Sequence, residues 1–296
     1  MRAVVLTGHG GLEKLEYHED WPTPEPGAGE VLVRVGACGL NNTDINTRIG
    51  WYSPDVTGAT DDVDQDVEAG GWGGALAFPR IQGGDLCGRI VALGVGVEGL
   101  ATDQRVTCPI NLPRPTQETP QAYIALGSEL DGAFAQYCLV EAADLYDVSV
   151  SPLSDVEIAA MPCAFGTAEN LLTRAAVCAG QSVLITGASG GVGLAAVQLA
   201  TLRGARVTGI ASPAKADAVR KAGAESILER NATPPENGFD VLIDVVAGPA
   251  WPALIRALKA GGHYAVSGAI AGPVVTADLR EIYLRDITIH GLSLIH

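Results

Sequence analysis

Residues 186–193 read Thr-Gly-Ala-Ser-Gly-Gly-Val-Gly, directly after the apolar run Ser182-Val-Leu-Ile185 and at the opening of the helix-forming run Val192–Ala200. A strand, a glycine loop and a helix in that order admit few folds. Gly190 and Gly191 let the backbone approach a pyrophosphate, and Gly193 lets the helix pack against the strand. The helix start then offers free N–H groups and the positive end of its dipole to phosphate. Gly187, Ala188, Ser189 and Val192 complete the expected contact surface. Ala188 stands where a stricter pattern has its first glycine.

The surroundings support this reading. From Ser151 onward, strand-like runs at Ser182–Thr186, Arg206–Ala211, Glu225–Leu228, Asp240–Val245, His263–Ser267 and Ile287–Leu292 alternate with helical ones. The helical runs include Val192–Arg203 and Ala214–Ala222. Alternation of this kind builds a parallel sheet with crossover helices, here a doubly wound α/β sheet of six strands. Ser154-Asp-Val-Glu157 is a capping box opening a helical stretch toward Leu172. The front half is different. Ala3–Leu6, Glu30–Val35, Gly88–Leu93, Arg105–Cys108 and Ala133–Val140 are short β-rich runs separated by Gly and Pro clusters, with no long helical period. A chain of 296 residues exceeds one comfortable core. The expected domains are therefore 1–150, an irregular β-barrel-type domain, and 151–296, the dinucleotide domain.

The second strand selects the dinucleotide. An acidic residue at its end would hold the ribose hydroxyl of NAD, but the sequence there is Gly209-Ile-Ala-Ser-Pro-Ala-Lys215. Ser212 and Lys215 suit a 2′-phosphate, with Arg220 available from the next helix, and NADPH is the expected cofactor. Each charge-assisted bond contributes roughly 1.5–3 kcal/mol, enough for a preference of about tenfold or more. The alternative is that Lys215 is a solvated first-turn lysine.

Charge and composition exclude other classes. A net charge of −15 argues against a nucleic-acid or anionic-membrane surface, which needs clustered Lys and Arg. No run approaches a membrane span, and the N-terminal residues lack a signal peptide's apolar stretch. The six cysteines form no Cys-x-x-Cys pair, as expected of a reduced, cytoplasmic protein. The acidic segment from Ser53 to Gly74 places Asp62, Asp64 and Asp66 in alternation, yet a calcium loop starting there would need Gly at 67 and Glu at 73. Val67 and Gly73 occupy those positions. A solvated surface loop is expected, with a lid over the substrate as the other reading.

Further motifs cover nearly the whole chain. They are Gly39-Leu-Asn-Asn-Thr-Asp-Ile-Asn-Thr-Arg-Ile-Gly-Trp-Tyr52, Gly83-Gly-Asp-Leu-Cys-Gly88 with Ile90-Val-Ala-Leu-Gly94, Asp131-Gly-Ala-Phe-Ala-Gln-Tyr137 and Pro162-Cys-Ala-Phe-Gly-Thr167. Together with the glycine loop they resemble the medium-chain dehydrogenase/reductase superfamily, which joins a GroES-like β domain to a Rossmann domain. In its zinc alcohol dehydrogenases, a Cys, a His-Glu pair and a second Cys hold the catalytic metal. Asn41, Gly84-Asp85 and Cys163 stand at those places, and a catalytic zinc wants three protein ligands. The cysteine-rich lobe of the structural zinc is also missing, so no metal is expected. Cys163 also reads as a buried small apolar residue.

Asn41 in this context is similar to the zinc-free quinone oxidoreductases. The resemblance implies hydride transfer from NADPH to a quinone or an α,β-unsaturated carbonyl, in a cleft between the domains. It implies that Asn41 and Tyr52 face the substrate and that Thr43 occupies the proton-relay position. Thr167 would lie beside the nicotinamide, with Ser267 and Gly268 lining its pocket. Capping a turn for Asn41, and packing under the acidic loop for Tyr52, are the alternatives.

Relatives usually continue past the last strand, whereas this sequence stops at Leu292-Ser-Leu-Ile-His296, and impaired hydride-transfer geometry is one expectation from that. A homodimer through Ile287–Leu292 is another, because exposed strand edges need cover. Two rival functions stand beside the reductase: an alcohol dehydrogenase with atypical zinc ligands, and a non-catalytic NADPH-binding or structural protein. A methyltransferase would share the glycines but not the β-rich front half.

Overall fold

The run Glu30–Gly39, rich in Val and buried along its first half, forms a ten-residue strand that organises the front of the chain. It is β3 in the computed structural model, which describes residues 1–62, 76–120 and 122–292. The strands before it are β1 (Ala3–Leu6) and β2 (Leu15–His18). Those after it are β4 (Arg80–Ile81), β5 (Asp85–Leu93), β6 (Arg105–Thr107), β7 (Asn111–Pro113), β8 (Tyr123–Ala125), β9 (Tyr137–Glu141) and β10 (Tyr146–Asp147). They make a five-stranded sheet ordered β10-β6-β5-β3-β9, a three-stranded sheet ordered β2-β1-β4 and the β7-β8 hairpin. Val31, Val33, Leu86, Ile90, Val106 and Val140 meet in its core, the inward half of each alternating strand.

Two local features depart from the expected pattern. The strand expected from Ala133 begins at Tyr137. Residues 133 and 134 instead donate their N–H groups to Gly83 and Gln82 carbonyls, and Ala135 bridges to Ala3. A helix, α1 (Asn42–Arg48), stands where no helical period is visible, because seven residues are too few to show one.

The capping box at Ser154 is formed: Ser154 accepts from the Glu157 N–H, and Glu157 accepts from the Ser154 N–H at 2.8 Å. The helix it opens, α2 (Asp155–Ala159), ends short of Leu172, and a second helix, α3 (Pro162–Arg174), starts at Pro162. Proline at a helix start is favourable and inside one is not, which explains the break. Among the described residues the chain divides into two compact units, 1–56 with 76–163 and 57–62 with 164–292. The change of periodicity at 150 thus precedes the change of unit, which falls inside α3. Packing explains the difference. Ile158 and Ala159 bury against Cys87 and Ala37, and Arg105 of β6 holds Asp155 at 2.6 Å.

In the second unit the strands are β11 (Ser182–Ile185), β12 (Arg206–Ile210), β13 (Ser226–Leu228), β14 (Phe239–Asp244), β15 (Leu258–Val266) and β16 (Thr288–Gly291). All neighbours pair in parallel, in the order β13-β12-β11-β14-β15-β16. This is the doubly wound Rossmann order, with its switch point between β11 and β14. The helices are α4 (Gly191–Leu202), α5 (Ala216–Lys221), α6 (Trp251–Ala257) and α7 (Leu279–Tyr283). One face of the sheet packs Val183, Ile185, Val207, Val241 and Ile243 with α3 and α4. The other packs Leu184, Leu242 and Tyr264 with α6.

Residues 63–74 of the acidic segment, with Asp64, Asp66, Val67 and Gly73, lie outside the described residues. Among the described residues no helix is long and apolar enough to cross a membrane.

Candidate functional site

The glycine loop leaves β11 and enters α4 at the switch point of the sheet. Gly187 has φ +55, and a methyl group there would meet Val245 Cγ2 at 2.9 Å. A Cβ on Gly193 would stand 2.1 Å from the Gly187 carbonyl oxygen, so this glycine is required for helix–loop packing. Gly190 and Gly191 differ from it. Among the described residues, a Cβ on either would meet nothing closer than 3.4 Å. Their smallness serves no contact among these residues, and it leaves the loop backbone open to a ligand. The first N–H groups of α4 have no acceptor within the helix, so the loop suits a phosphate.

Ala188 is fully buried and donates its N–H to the Ile210 carbonyl at 3.1 Å. Its methyl is accommodated by Gly209 of β12, where an added Cβ would meet Ala188 Cβ at 2.9 Å. The Ala188–Ile210 bond also sets the end of β12, and hence Ser212, beside the loop. Ser212 is half-buried at the start of a short turn, Pro213–Lys215, and Lys215 is exposed. Arg220 is exposed and pairs at the surface with Asp217 at 2.9 Å. Thr167 is buried on α3, whose Ala164 Cβ lies 3.6 Å from the Cβ position of Gly191. Ser267 follows β15, its N–H donated to the Asp244 carbonyl at 3.2 Å, and a Cβ on Gly268 would approach the Val245 carbonyl oxygen at 2.9 Å. Apart from Thr167 on α3, the predicted cofactor residues thus lie at or just beyond neighbouring strand ends of one sheet.

Sequence reasoning missed Asp244, whose carboxyl is fully buried beneath this surface. The available signal was an Asp closing the otherwise apolar strand Val241-Leu-Ile-Asp244.

In the first unit, Asn41, Thr43 and Tyr52 come together around α1. Asn41 precedes the helix, its N–H donated to Asp44 Oδ2 at 2.8 Å and its Nδ2 to Asp85 Oδ2 at 2.9 Å. Tyr52 donates its hydroxyl to Thr43 Oγ1 at 3.0 Å. Thr43, Asp44 and Thr47 line a recess of about 10 Å³ with Ile110 and Ser128, the room of one water. Burial pushes the Asp44 carboxyl up to about 6, against the backbone N–H groups of Asn41 and Gly83. Burial also pushes Asp85 up to about 6, reinforced by the Asp44 charge and opposed by the Asn41 amide and the Cys163 N–H.

The donor set at the metal position of the zinc enzymes does not fit a catalytic zinc. Asn41 offers a neutral amide, and Asp85 accepts from Asn41 on one oxygen and from the Cys163 N–H on the other, at 2.9 Å each. Among the described residues, no group of three or more His, Cys, Asp or Glu side chains could hold a metal ion.

Known proteins agree with this architecture. The alcohol dehydrogenase GroES-like domain matches residues 27–150, and the zinc-binding dehydrogenase family matches residues 191–296. The acryloyl-coenzyme A reductase of Metallosphaera sedula is 30% identical over 98% of this chain and 84% of its own length. The quinone oxidoreductase of Rattus norvegicus is 27% identical, over 99% of this chain and 80% of its own. A solved structure of a candidate alcohol dehydrogenase from Sinorhizobium meliloti 1021 superimposes with a TM-score of 0.88 at 40% identity, covering 99% of this chain and 82% of that one. The chain belongs to the medium-chain dehydrogenase/reductase superfamily, as an alcohol dehydrogenase-like oxidoreductase whose family binds a nicotinamide cofactor.

Proposed function

We propose that the chain is an NADPH-dependent reductase of quinones or α,β-unsaturated carbonyls that works without a metal. The observation that carries this reading is the closed Asn41–Asp85–Cys163 hydrogen-bond set, which occupies the metal position with an amide donor. Similarity to a quinone oxidoreductase and to a reductase of acryloyl-coenzyme A supports it, since both names describe electron-poor acceptors.

When bound, NADPH supplies the hydride. The glycine loop and the start of α4 hold its pyrophosphate, and Ser212 and Lys215 receive the 2′-phosphate. Asn41 and Tyr52 face the substrate oxygen and stabilise the charge that develops on it as hydride arrives at carbon. Tyr52 Oη, which donates to Thr43 Oγ1, and Thr43 itself would pass to this oxygen a proton drawn in the end from solvent water, so that both hydroxyls finish protonated. We place the enzyme in the cytoplasm, and a two-fold contact at β16, the edge strand of the sheet.

A fluorescence titration with NADPH and NADH in parallel tests the cofactor. Lys215→Ala is expected to weaken NADPH binding by about tenfold or more and to leave NADH binding nearly unchanged. Equal losses for both would remove the phosphate role. Asn41→Ala is expected to lower turnover of a quinone or enone by about a hundredfold, in the range for one lost oxyanion donor, at near wild-type cofactor affinity. Undiminished turnover would remove Asn41 from the reaction.

A further inference from the structure

The buried carboxyl of Asp244 lies beneath the cofactor surface and takes no part in the chemistry above. It accepts four hydrogen bonds. The Thr186 hydroxyl donates to Oδ1 at 2.5 Å, the N–H groups of Val246 and Ala247 donate to the same oxygen at 2.8 and 3.0 Å, and the Tyr264 hydroxyl donates to Oδ2 at 2.7 Å. Thr186 Oγ1 in turn accepts from the Val245 N–H at 3.1 Å. Burial and the facing carboxylate push the Tyr264 phenol up, which keeps it a donor.

These partners are not scattered. Thr186 is the first residue of the glycine loop. Residues 245–247 form the turn whose Val245 and Val246 side chains back Gly187, and Ala247 in that turn holds a left-handed φ of 53. The Asp244 carbonyl accepts from Ser267, so the third cofactor segment is tied to the same residue. A buried carboxylate in low dielectric holds its donors firmly, and any donor deprived of it is left unsatisfied. Three of its four donors belong to Thr186 at the start of the glycine loop and to the 245–247 turn, and the fourth is Tyr264, buried in β15 against α6.

Resting on the cofactor reading above, we infer that Asp244 is a positioning residue. Through Thr186 and the 245–247 turn, it sets the glycine loop in the geometry that binds the dinucleotide. The effect is on the part of the site shared by NADPH and NADH, and it is separate from the phosphate selectivity of Lys215.

The experiment titrates wild type and variants with NADPH and with NADH by fluorescence, and follows their melting temperatures. Thr186→Val keeps the side-chain shape and removes the bridging hydroxyl. It is expected to weaken both cofactors alike, by about tenfold, the worth of one charge-assisted hydrogen bond. Thr186→Ser restores the hydroxyl and should restore both affinities, an outcome that mere packing of the threonine methyl would not give. Asp244→Asn keeps one acceptor oxygen and turns its amide toward Tyr264, whose hydroxyl can rotate to accept. It should therefore weaken binding less alone than in combination with Tyr264→Phe, a non-additive pair. Wild-type affinity in Thr186→Val and in the Asp244→Asn/Tyr264→Phe double variant would overturn the assignment while leaving the cofactor reading intact. So would a lowered melting temperature with unchanged affinities. Failure of the wild-type chain to bind either cofactor would overturn both.

Discussion

Gly193→Ala should destabilise the fold, whereas Gly191→Ala, two residues earlier in the same loop, should spare the fold and weaken cofactor binding. The difference follows from what each new methyl group would meet. At 193 it would stand 2.1 Å from a backbone oxygen and 2.7 Å from Ala188 Cα, and neither atom can move without displacing the loop. Overpacking of this kind costs about 1–3 kcal/mol, and loop displacement should carry cofactor affinity down with it. At 191 the nearest atom outside the helix backbone, among the described residues, is Ala164 Cβ at 3.6 Å, an ordinary contact, and alanine is the better helix former by roughly 0.5–1 kcal/mol. The methyl group would instead occupy the space left for the ligand, and affinity should fall by at least about tenfold. Urea denaturation and cofactor titration of the two variants make the comparison. Equal stability losses at both positions would mean that the openness above Gly191 does not persist in solution.

The second large effect lies in the pH dependence of stability. Asp44 and Asp85 titrate near 6 in the folded chain and near 4 when exposed, so the folded state binds more protons over that interval. Their raised values contribute stability that is fully present below about pH 4 and is lost as pH rises through about 6. Each group's share is on the order of 3 kcal/mol. Asp85→Asn abolishes one titration, and the decline between pH 4 and 7 should become shallower. Denaturation midpoints measured across that range provide the test. An unchanged slope would show that Asp85 is equally protonated in the folded and unfolded chains.

Much of this protein was readable from local pattern. The glycine loop, the six strands of the second unit and the Ser154 capping box all depend on residues within a few positions of one another, where periodicity and spacing carry the information. Relations set by sheet order could not be read that way. Asn41 meets Asp85 because β3 leads into α1 and pairs with β5. Asp244 meets Thr186 because the strand order places β14 directly beside β11. Helix α2 shows the same limit. Its capping box announced its start, yet the partner of Ile158 and Ala159 was fixed by Cys87 on a strand far earlier in the chain. Lys215 and Ser212 were legible as candidates, whereas the competing claim of Asp217 on Arg220 became visible only with side chains in place.

Ala188 in the glycine loop and Gly209 on β12 share a single allotment of volume. One side carries the methyl group that a stricter glycine motif would lack, and the other gives up its own. The motif is therefore not a property of eight consecutive residues. A substitution at position 188 is permitted or forbidden by what stands at 209, more than twenty residues away along the chain. Glycine patterns with an alanine in the first place are accordingly better judged by the residue opposite, on the neighbouring strand, than by how many glycines they keep.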